Sequence, residues 1–130
     1  MANRTFYPSQ STGIDVVYMQ FELKGAGASA LTLSLDASPV VASVVRNGTG
    51  LHTVTLKDSF SKVLFKCAEP DDTANDGSYC TVLNVQNEST SSALTFQIQF
   101  RNAGGTAAEA ASGRRIGVVL ALRNGNVGIT

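Results

Sequence analysis

The only histidine of the chain, His52, is the first side chain to consider for acid–base chemistry. A histidine that acts as a general base needs a nucleophile and an orienting carboxylate close to it. Ser59 and Asp58 are near in sequence, but the residues around them do not form a nucleophile elbow. His52 instead alternates with Val54 and Leu56, as a core residue of a strand does. We therefore expect a hydrogen-bonded core or interface histidine in a protein that is not an enzyme.

Four carboxylates fall in the longest polar stretch, and such a cluster is a candidate site for a hard cation such as calcium. They are Glu69, Asp71, Asp72 and Asp76. An EF-hand starting at Asp72 would place Ala74 at its third position and Leu83 at its twelfth, so the calcium-loop spacing fails. One histidine and two cysteines also cannot complete a zinc site alone. We expect no metal or other cofactor, and ion binding by the Asp71–Asp76 loop stays open.

The two cysteines, Cys67 and Cys80, flank this polar loop. Neighbouring antiparallel strands would bring them close enough for a bridge, but a protein made in the cytosol usually keeps its thiols reduced. The sequence predicts two reduced, partly buried thiols and leaves their pairing open.

Composition argues against nucleic-acid and membrane partners. Ten basic and ten acidic residues give the 130-residue chain a formal net charge of zero. Duplex-binding proteins carry a basic excess, because their cations displace counterions from phosphates. No stretch approaches the roughly 18 apolar residues of a membrane span, and the first residues lack the apolar run of a secretory signal. At 43% hydrophobic and 15% charged, the chain has a largely uncharged polar surface, which favours protein partners.

Hydrophobic and polar residues alternate with a period of two through most of the chain, as they do in half-buried strands. About eight such runs are separated by short turns, at 17–24, 31–35, 40–46, 52–57, 63–67, 80–86, 94–100 and 115–123. This spacing predicts a single all-β domain of about eight antiparallel strands, which is a β-sandwich, a jelly roll or a barrel. We assign residues 17–130 to this domain and residues 1–16 to a polar N-terminal arm.

The pattern also makes finer predictions about single segments. The continuously apolar run 40–46 indicates a strand that is covered on both faces. Phe65 alternates with Val63 and Cys67, so we expect it in the core. The alanine-rich residues 107–111 are expected to form a short helical turn.

Three stretches of the sequence, taken together, carry a family resemblance. They are RNGTGLHTVTLKDSFSKVL from Arg46 to Leu64, GGTAAEAASG from Gly104 to Gly113, and VVLALRN from Val118 to Asn124. This combination resembles the head decoration, or cement, proteins of tailed phages and prophages, over roughly residues 40–124. The resemblance implies a β-rich homo-oligomer, with a trimer favoured over a dimer. It implies a protein that is made in the host cytoplasm and then clamps neighbouring major capsid subunits on the exterior of the virion.

The residues expected to contact the partner belong to three segments. They are Phe6, Tyr7 and Ile14 of the arm, Asn47, Gly48, Thr49 and Gly50 of a tight turn, and Ala107 and Glu109 of the loop 103–112. The alternative function is a tail, fibre or head-fibre module that recognises a host glycan or another virion protein. Sugar sites usually present exposed aromatic rings, and the strand phenylalanines of this chain are expected in the core.

Overall fold

The part of the chain that the structure describes folds into eight antiparallel strands, as the sequence predicts. The computed structural model describes residues 16–71 and 75–123. In chain order the strands are β1 Val16–Lys24, β2 Thr32–Leu33, β3 Val41–Gly48, β4 Leu51–Leu56, β5 Lys62–Pro70, β6 Tyr79–Gln86, β7 Thr95–Arg101 and β8 Arg115–Arg123. The described residues form no helix, so none of their segments is a membrane-spanning helix.

The strands form two sheets of four, which lie face to face as a β-sandwich and do not close into a barrel. The first sheet has the order β2-β1-β8-β5, and the second sheet has the order β3-β4-β7-β6. Every paired strand is antiparallel to its neighbour. The predicted all-β sandwich is therefore confirmed.

The core lies between the inner faces of the two sheets, because alternate residues of a strand point to the same side. In the first sheet Phe21 of β1 is the cross-strand partner of Val118 of β8, and in the second Val54 is the partner of Phe96. All four side chains are at most 1% exposed. The largest fully buried side chains are Phe21, Leu23, Val41, His52, Val54, Leu56, Leu94, Phe96, Ile98, Ile116, Leu120 and Leu122.

A β-bulge in β5 overturns the prediction that Phe65 is a core residue. Val63 pairs with Leu122, but the next paired residue is Phe65, which lies opposite Ala121. The extra residue shifts the inside–outside alternation by one position. Val63 therefore stays against the core, while Phe65 is 56% exposed on the outer face.

The predicted strand 31–35 is much shorter in the structure. β2 contains only Thr32 and Leu33. The chain then turns, and Leu35 is 94% exposed. The Ser34 hydroxyl hydrogen-bonds the Asp36 carboxylate, an interaction of short polar side chains that stabilises a turn in place of a strand.

Two further expectations, a strand covered on both faces at 40–46 and a helical turn at 107–111, were wrong. In both cases neighbours that are distant in sequence decide the outcome. β3 belongs to one layer of a two-sheet sandwich, so only its inner face packs against another sheet, and Val45 on its outer face is 54% exposed. Ala107 forms an isolated antiparallel bridge with Arg101, and that extended pairing replaces the helical turn expected at residues 107–111.

Two phenylalanines, one in each sheet, test this description of the core. We expect Phe96→Ala to lower the free energy of unfolding by about 3–5 kcal/mol, because it leaves a cavity between the sheets. Phe65→Ala should change it by less than about 0.5 kcal/mol, because the ring is largely in solvent. Urea unfolding of the two variants checks this, and similar losses in both would contradict the assignment.

Candidate functional site

The structure brings together two of the three segments predicted to contact a partner. The turn 47–50 joins β3 to β4, and the loop 103–112 joins β7 to β8. The backbone N–H of Phe100 donates to the Gly50 carbonyl at 2.8 Å, and that of Ala108 donates to the Phe100 carbonyl at 3.1 Å. Phe100 thus connects the two segments, which we call the loop cluster. The candidates of the arm, Phe6, Tyr7 and Ile14, lie outside the described residues.

Glu109 anchors the loop cluster through an ion pair with Arg46. Its Oε1 lies 2.7 Å from Nη2 of Arg46, and Nε of Arg46 lies 3.3 Å from both carboxylate oxygens. The same Oε1 accepts the backbone N–H of Gly50 at 2.8 Å. These contacts lower the pKa of Glu109, first through its hydrogen bond with Arg46. The carboxylate is therefore charged at neutral pH and holds the loop against the turn.

Gly50 is the residue that allows this close approach. Its φ is +66°, in the left-handed region that favours glycine. A Cβ at this position would lie 2.0 Å from the carbonyl oxygen of Ala108. The side-chain amide of Gln99 completes the junction by donating to the carbonyls of Thr49 and Phe100, each at 2.9 Å.

The loop 103–112 is also ordered by its own hydrogen bonds. The side-chain oxygen of Asn102 accepts the N–H groups of Gly104 and Thr106, each at 3.0 Å. Arg101 donates to the carbonyl of Gly105 at 3.1 Å. Further along, the carbonyl of Ala110 accepts the N–H of Gly27, which ties the loop to the connection between β1 and β2. The loop is thus held at both ends by polar contacts.

Exposure separates the predicted contact residues into two groups. Asn47, Thr49 and Ala107 are exposed and are available to a partner. Gly48 and Glu109 are partly buried and Gly50 is buried, so Glu109 and Gly50 act as supports for the surface. Sequence reasoning did not single out the ion-pair partner Arg46, because a salt bridge between residues 63 positions apart leaves no local pattern.

His52 lies in the core beneath this region, as predicted, but within the described residues it lacks the hydrogen bonds expected of a satisfied core histidine. It is 1% exposed and lies opposite Arg46 and Ile98 on the neighbouring strands. Neither ring nitrogen has a hydrogen-bond partner within residues 16–71 and 75–123. Burial lowers its pKa, the charge of Arg46 acts in the same direction, and Glu109 opposes them. The imidazole is neutral at pH 7 and has no access to a substrate.

The acidic stretch after β5 is neutralised by arginines. The guanidinium of Arg114, whose side chain is 8% exposed, lies 2.9 Å from Asp76 and 3.3 Å from Asp71, and 5.5 Å above the ring of Phe100. Its hydrogen bond with Asp76 holds the pKa of that carboxyl well below its usual range. Arg115 lies 3.3 Å from the second oxygen of Asp71. Asp71 and Asp76, which the sequence suggested as ligands for a cation, therefore form ion pairs with arginines instead.

The two cysteines and Glu69 line one groove between β5 and β6. Cys67 and Cys80 are both free and partly buried. Burial is the main cause that raises the pKa of Cys80 to about 12, which makes its thiol a poor nucleophile. No group of three or more His, Cys, Asp or Glu side chains there is arranged to hold a metal ion.

Comparison of the chain with protein-family models, with curated proteins and with solved structures finds no match.

A pair of glycines tests the structure of the loop cluster. Gly50→Ala should lower the free energy of unfolding by about 2–4 kcal/mol, because the new methyl group meets the Ala108 carbonyl in a strained backbone conformation. Gly48→Ala is the matched control, since a Cβ there has no atom within 4 Å, and we expect a loss below about 1 kcal/mol. Thermal and urea unfolding measure both, and equal losses would contradict this geometry.

The buried His52 predicts a pH dependence of stability. Its folded pKa lies below its ordinary value of 6.5, so the unfolded chain takes up the proton first, and stability falls as the pH drops from 6.5 towards the folded pKa. The pKa values of Glu109 and Asp76 are also lowered, but these shifts affect stability only at pH values below the ordinary pKa values of 4.5 and 3.8.

We therefore expect a smaller free energy of unfolding at about pH 5.5 than at about pH 7.5. His52→Leu should remove this difference, because leucine does not titrate. Urea unfolding of both proteins at the two pH values provides the measurement. An equal pH dependence in the variant would show that another group is responsible.

Proposed function

We propose that this protein is a virion structural protein, a head decoration or cement protein that binds the major capsid protein on the outer surface of a phage shell. The observation that carries the proposal is the junction of the loop cluster. Arg46 begins the first stretch that resembles the decoration proteins, and Glu109 lies within the second. Their ion pair joins these stretches on one surface.

The loop cluster has the properties of a preorganised binding surface. Its exposed residues Asn47, Thr49 and Ala107 stand on backbone that is held by the Glu109 ion pair, by the Gln99 amide and by main-chain hydrogen bonds. A surface that is ordered before binding loses less conformational entropy when its partner docks. Loops on a rigid β scaffold commonly carry binding residues for this reason.

Such a protein would stabilise a shell by burying surface across the junctions between capsid subunits. A specific interface typically buries about 1,200–2,000 Å², and the symmetry of a shell repeats each contact many times. A trimer would suit local threefold positions. The protein would be made in the host cytoplasm and reside on the capsid exterior, without a cofactor and without nucleic-acid or membrane partners.

Two experiments test the proposal. Purified particles of the phage that encodes the chain should contain it, and a density map should place it on the outer shell. When shells that lack the protein are mixed with it and sedimented, the protein should pellet with the shells. Thr49→Arg with Ala107→Arg should weaken this binding by about tenfold or more, because two bulky cations would stand on the contact surface.

The control is Ser91→Arg, at an exposed position of the loop that joins β6 to β7 at the opposite end of the second sheet, which should bind as the unaltered protein does. Circular dichroism and thermal unfolding establish that all variants are folded. Absence of the chain from particles, or equal binding by the double variant, would defeat the proposal.

One observation favours a second function, recognition of a glycan by a tail, fibre or head-fibre module. The rings of Phe65 and Tyr18 are 56% and 61% exposed, and both residues flank Ala121 on the outer face of the first sheet. Exposed aromatic rings are suited to stacking on sugars. Location of the chain at a spike or fibre tip, with glycan-array binding that Phe65→Ala abolishes, would favour this function over shell binding.

A further inference from the structure

The outer face of the first sheet carries an apolar patch that is open to solvent. Tyr18, Phe65 and Val119 form this patch and are 61%, 56% and 38% exposed. They belong to successive cross-strand rows of β1, β8 and β5, of which the first three are Val16–Arg123–Lys62, Tyr18–Ala121–Phe65 and Gln20–Val119–Cys67. An exposed apolar patch of this kind commonly marks a surface that binds something.

Charged rows border the apolar patch. The first row holds Arg123 and Lys62, and the fourth row holds Glu22 and Glu69 on either side of Gly117. Because Gly117 has no side chain, a gap separates the two carboxylates. Within residues 16–71 and 75–123, neither glutamate forms an ion pair.

Beyond the two glutamates the face ends in a fifth row, in which Lys24 lies opposite Arg115. Arg115 already pairs with Asp71 at 3.3 Å. The fourth row is therefore the acidic position of this face, and it lies one row past the apolar patch.

The N-terminal arm joins the sheet beside the apolar patch. β1 begins at Val16 in the first row, so the fifteen residues that precede it are attached one row away from Tyr18 and Phe65. Fifteen extended residues span about 50 Å, whereas five rows about 6.8 Å apart span about 27 Å. Residues 1–15 are thus long enough to reverse direction and follow the whole face.

The residues of the arm complement the face in apolar character and in charge. Phe6, Tyr7 and Pro8 form its large apolar group, and its charged side chains are Arg4 and Asp15. In an extended chain Arg4 lies about 6.8 Å beyond Phe6, which is one row of the sheet. An arm with Phe6 over the third row therefore carries its cation to the fourth row.

The C-terminal residues 124–130 leave from the same row, because Arg123 is the partner of Val16. They contain neither an aromatic nor a charged side chain. They offer no ring to the apolar patch and no cation to the two glutamates, so the N-terminal arm is the better occupant.

We propose that residues 1–15 fold back and bind the outer face of their own first sheet. The chain reverses near Gly13, since glycine adopts tight turns easily. Pro8 then lies over the rings of Tyr18 and Phe65, and Arg4 lies between the two glutamates. Attachment through Val16 gives the arm an effective concentration on the order of millimolar at this face, which favours it over the arm of a second copy.

This arrangement places a competition on the arm. A partner that binds Phe6 and Tyr7, or a glycan that stacks on Tyr18 and Phe65, must first displace the arm from the face. The arm residues that the sequence predicts as partner contacts are then held by their own chain before the partner arrives.

The thiol of Cys67 reports on coverage of the face, because Cys67 lies in the third row beside Val119 and is free. In the full chain, Phe6→Ser with Tyr7→Ser should speed alkylation of Cys67 by maleimide about fivefold or more, because the covered state no longer predominates. Arg4→Glu should speed it as well, since it brings a like charge to the two glutamates. Thr5→Ser with Gln10→Ser is the matched control and should leave the rate unchanged.

Peptide mass spectrometry separates labelling of Cys67 from that of Cys80, and circular dichroism establishes that the variants are folded. A rate at Cys67 that responds neither to the double aromatic variant nor to Arg4→Glu would overturn the proposal.

Disulfide trapping locates the arm directly. With oxidised glutathione as the oxidant, the thiol introduced by Phe6→Cys should join Cys67 of the same chain about tenfold faster than the thiol introduced by Ile129→Cys, because only the arm is held on the face. Non-reducing electrophoresis and peptide mapping identify the product. A product of two joined chains would assign the face to the arm of a second copy, and faster trapping from Ile129→Cys would assign it to the C-terminal residues. Either result would overturn the proposal, and neither bears on shell binding through the loop cluster.

Discussion

Burial of the two inner sheet faces against each other is the constraint on which the rest of the structure depends. The strands contribute alternate residues to that core, so Phe21, Val54, Phe96 and Val118 meet between the sheets and their neighbours in sequence must point outward. The outward-facing residues are not constrained by packing in this core, so they differ between the two sheets. The outer face of the second sheet is polar and hydrogen-bonded, whereas the outer face of the first sheet exposes Tyr18, Phe65 and Val119.

The loop cluster shows how an all-β fold holds irregular segments without a helix. Glu109 contributes one carboxylate that accepts from a guanidinium and from a backbone N–H, which satisfies donors at the β3–β4 turn. Gly50 provides the close approach that this arrangement needs. A loop that is ordered in this way costs little to immobilise on binding, so an exposed polar surface can serve for attachment without an apolar patch.

The two surfaces differ in composition. The loop cluster is small and polar, and its order before binding suits specific recognition of a partner. The outer face of the first sheet differs from it, because Tyr18, Phe65 and Val119 are exposed there.

The sequence by itself determined the strand content and the composition of the core. Alternation placed His52, Val54 and Leu56 inward, because a strand has a side-chain period of two and one face must leave water. It also identified the turn 47–50 and the loop 103–112 as candidate contacts. Local pattern was sufficient for these features, since each depends on residues that are close in the chain.

Only the tertiary structure decided the features that depend on distant neighbours. The bulge in β5 turned Phe65 outward, the uncovered outer face of the second sheet exposed Val45, and pairing with Arg101 kept Ala107 extended. The Arg46–Glu109 ion pair and the outer face of the first sheet join residues from separate parts of the sequence. The period of two indicates which residues of a strand share a face. Only the strand order and register determine which residues of different strands lie beside one another.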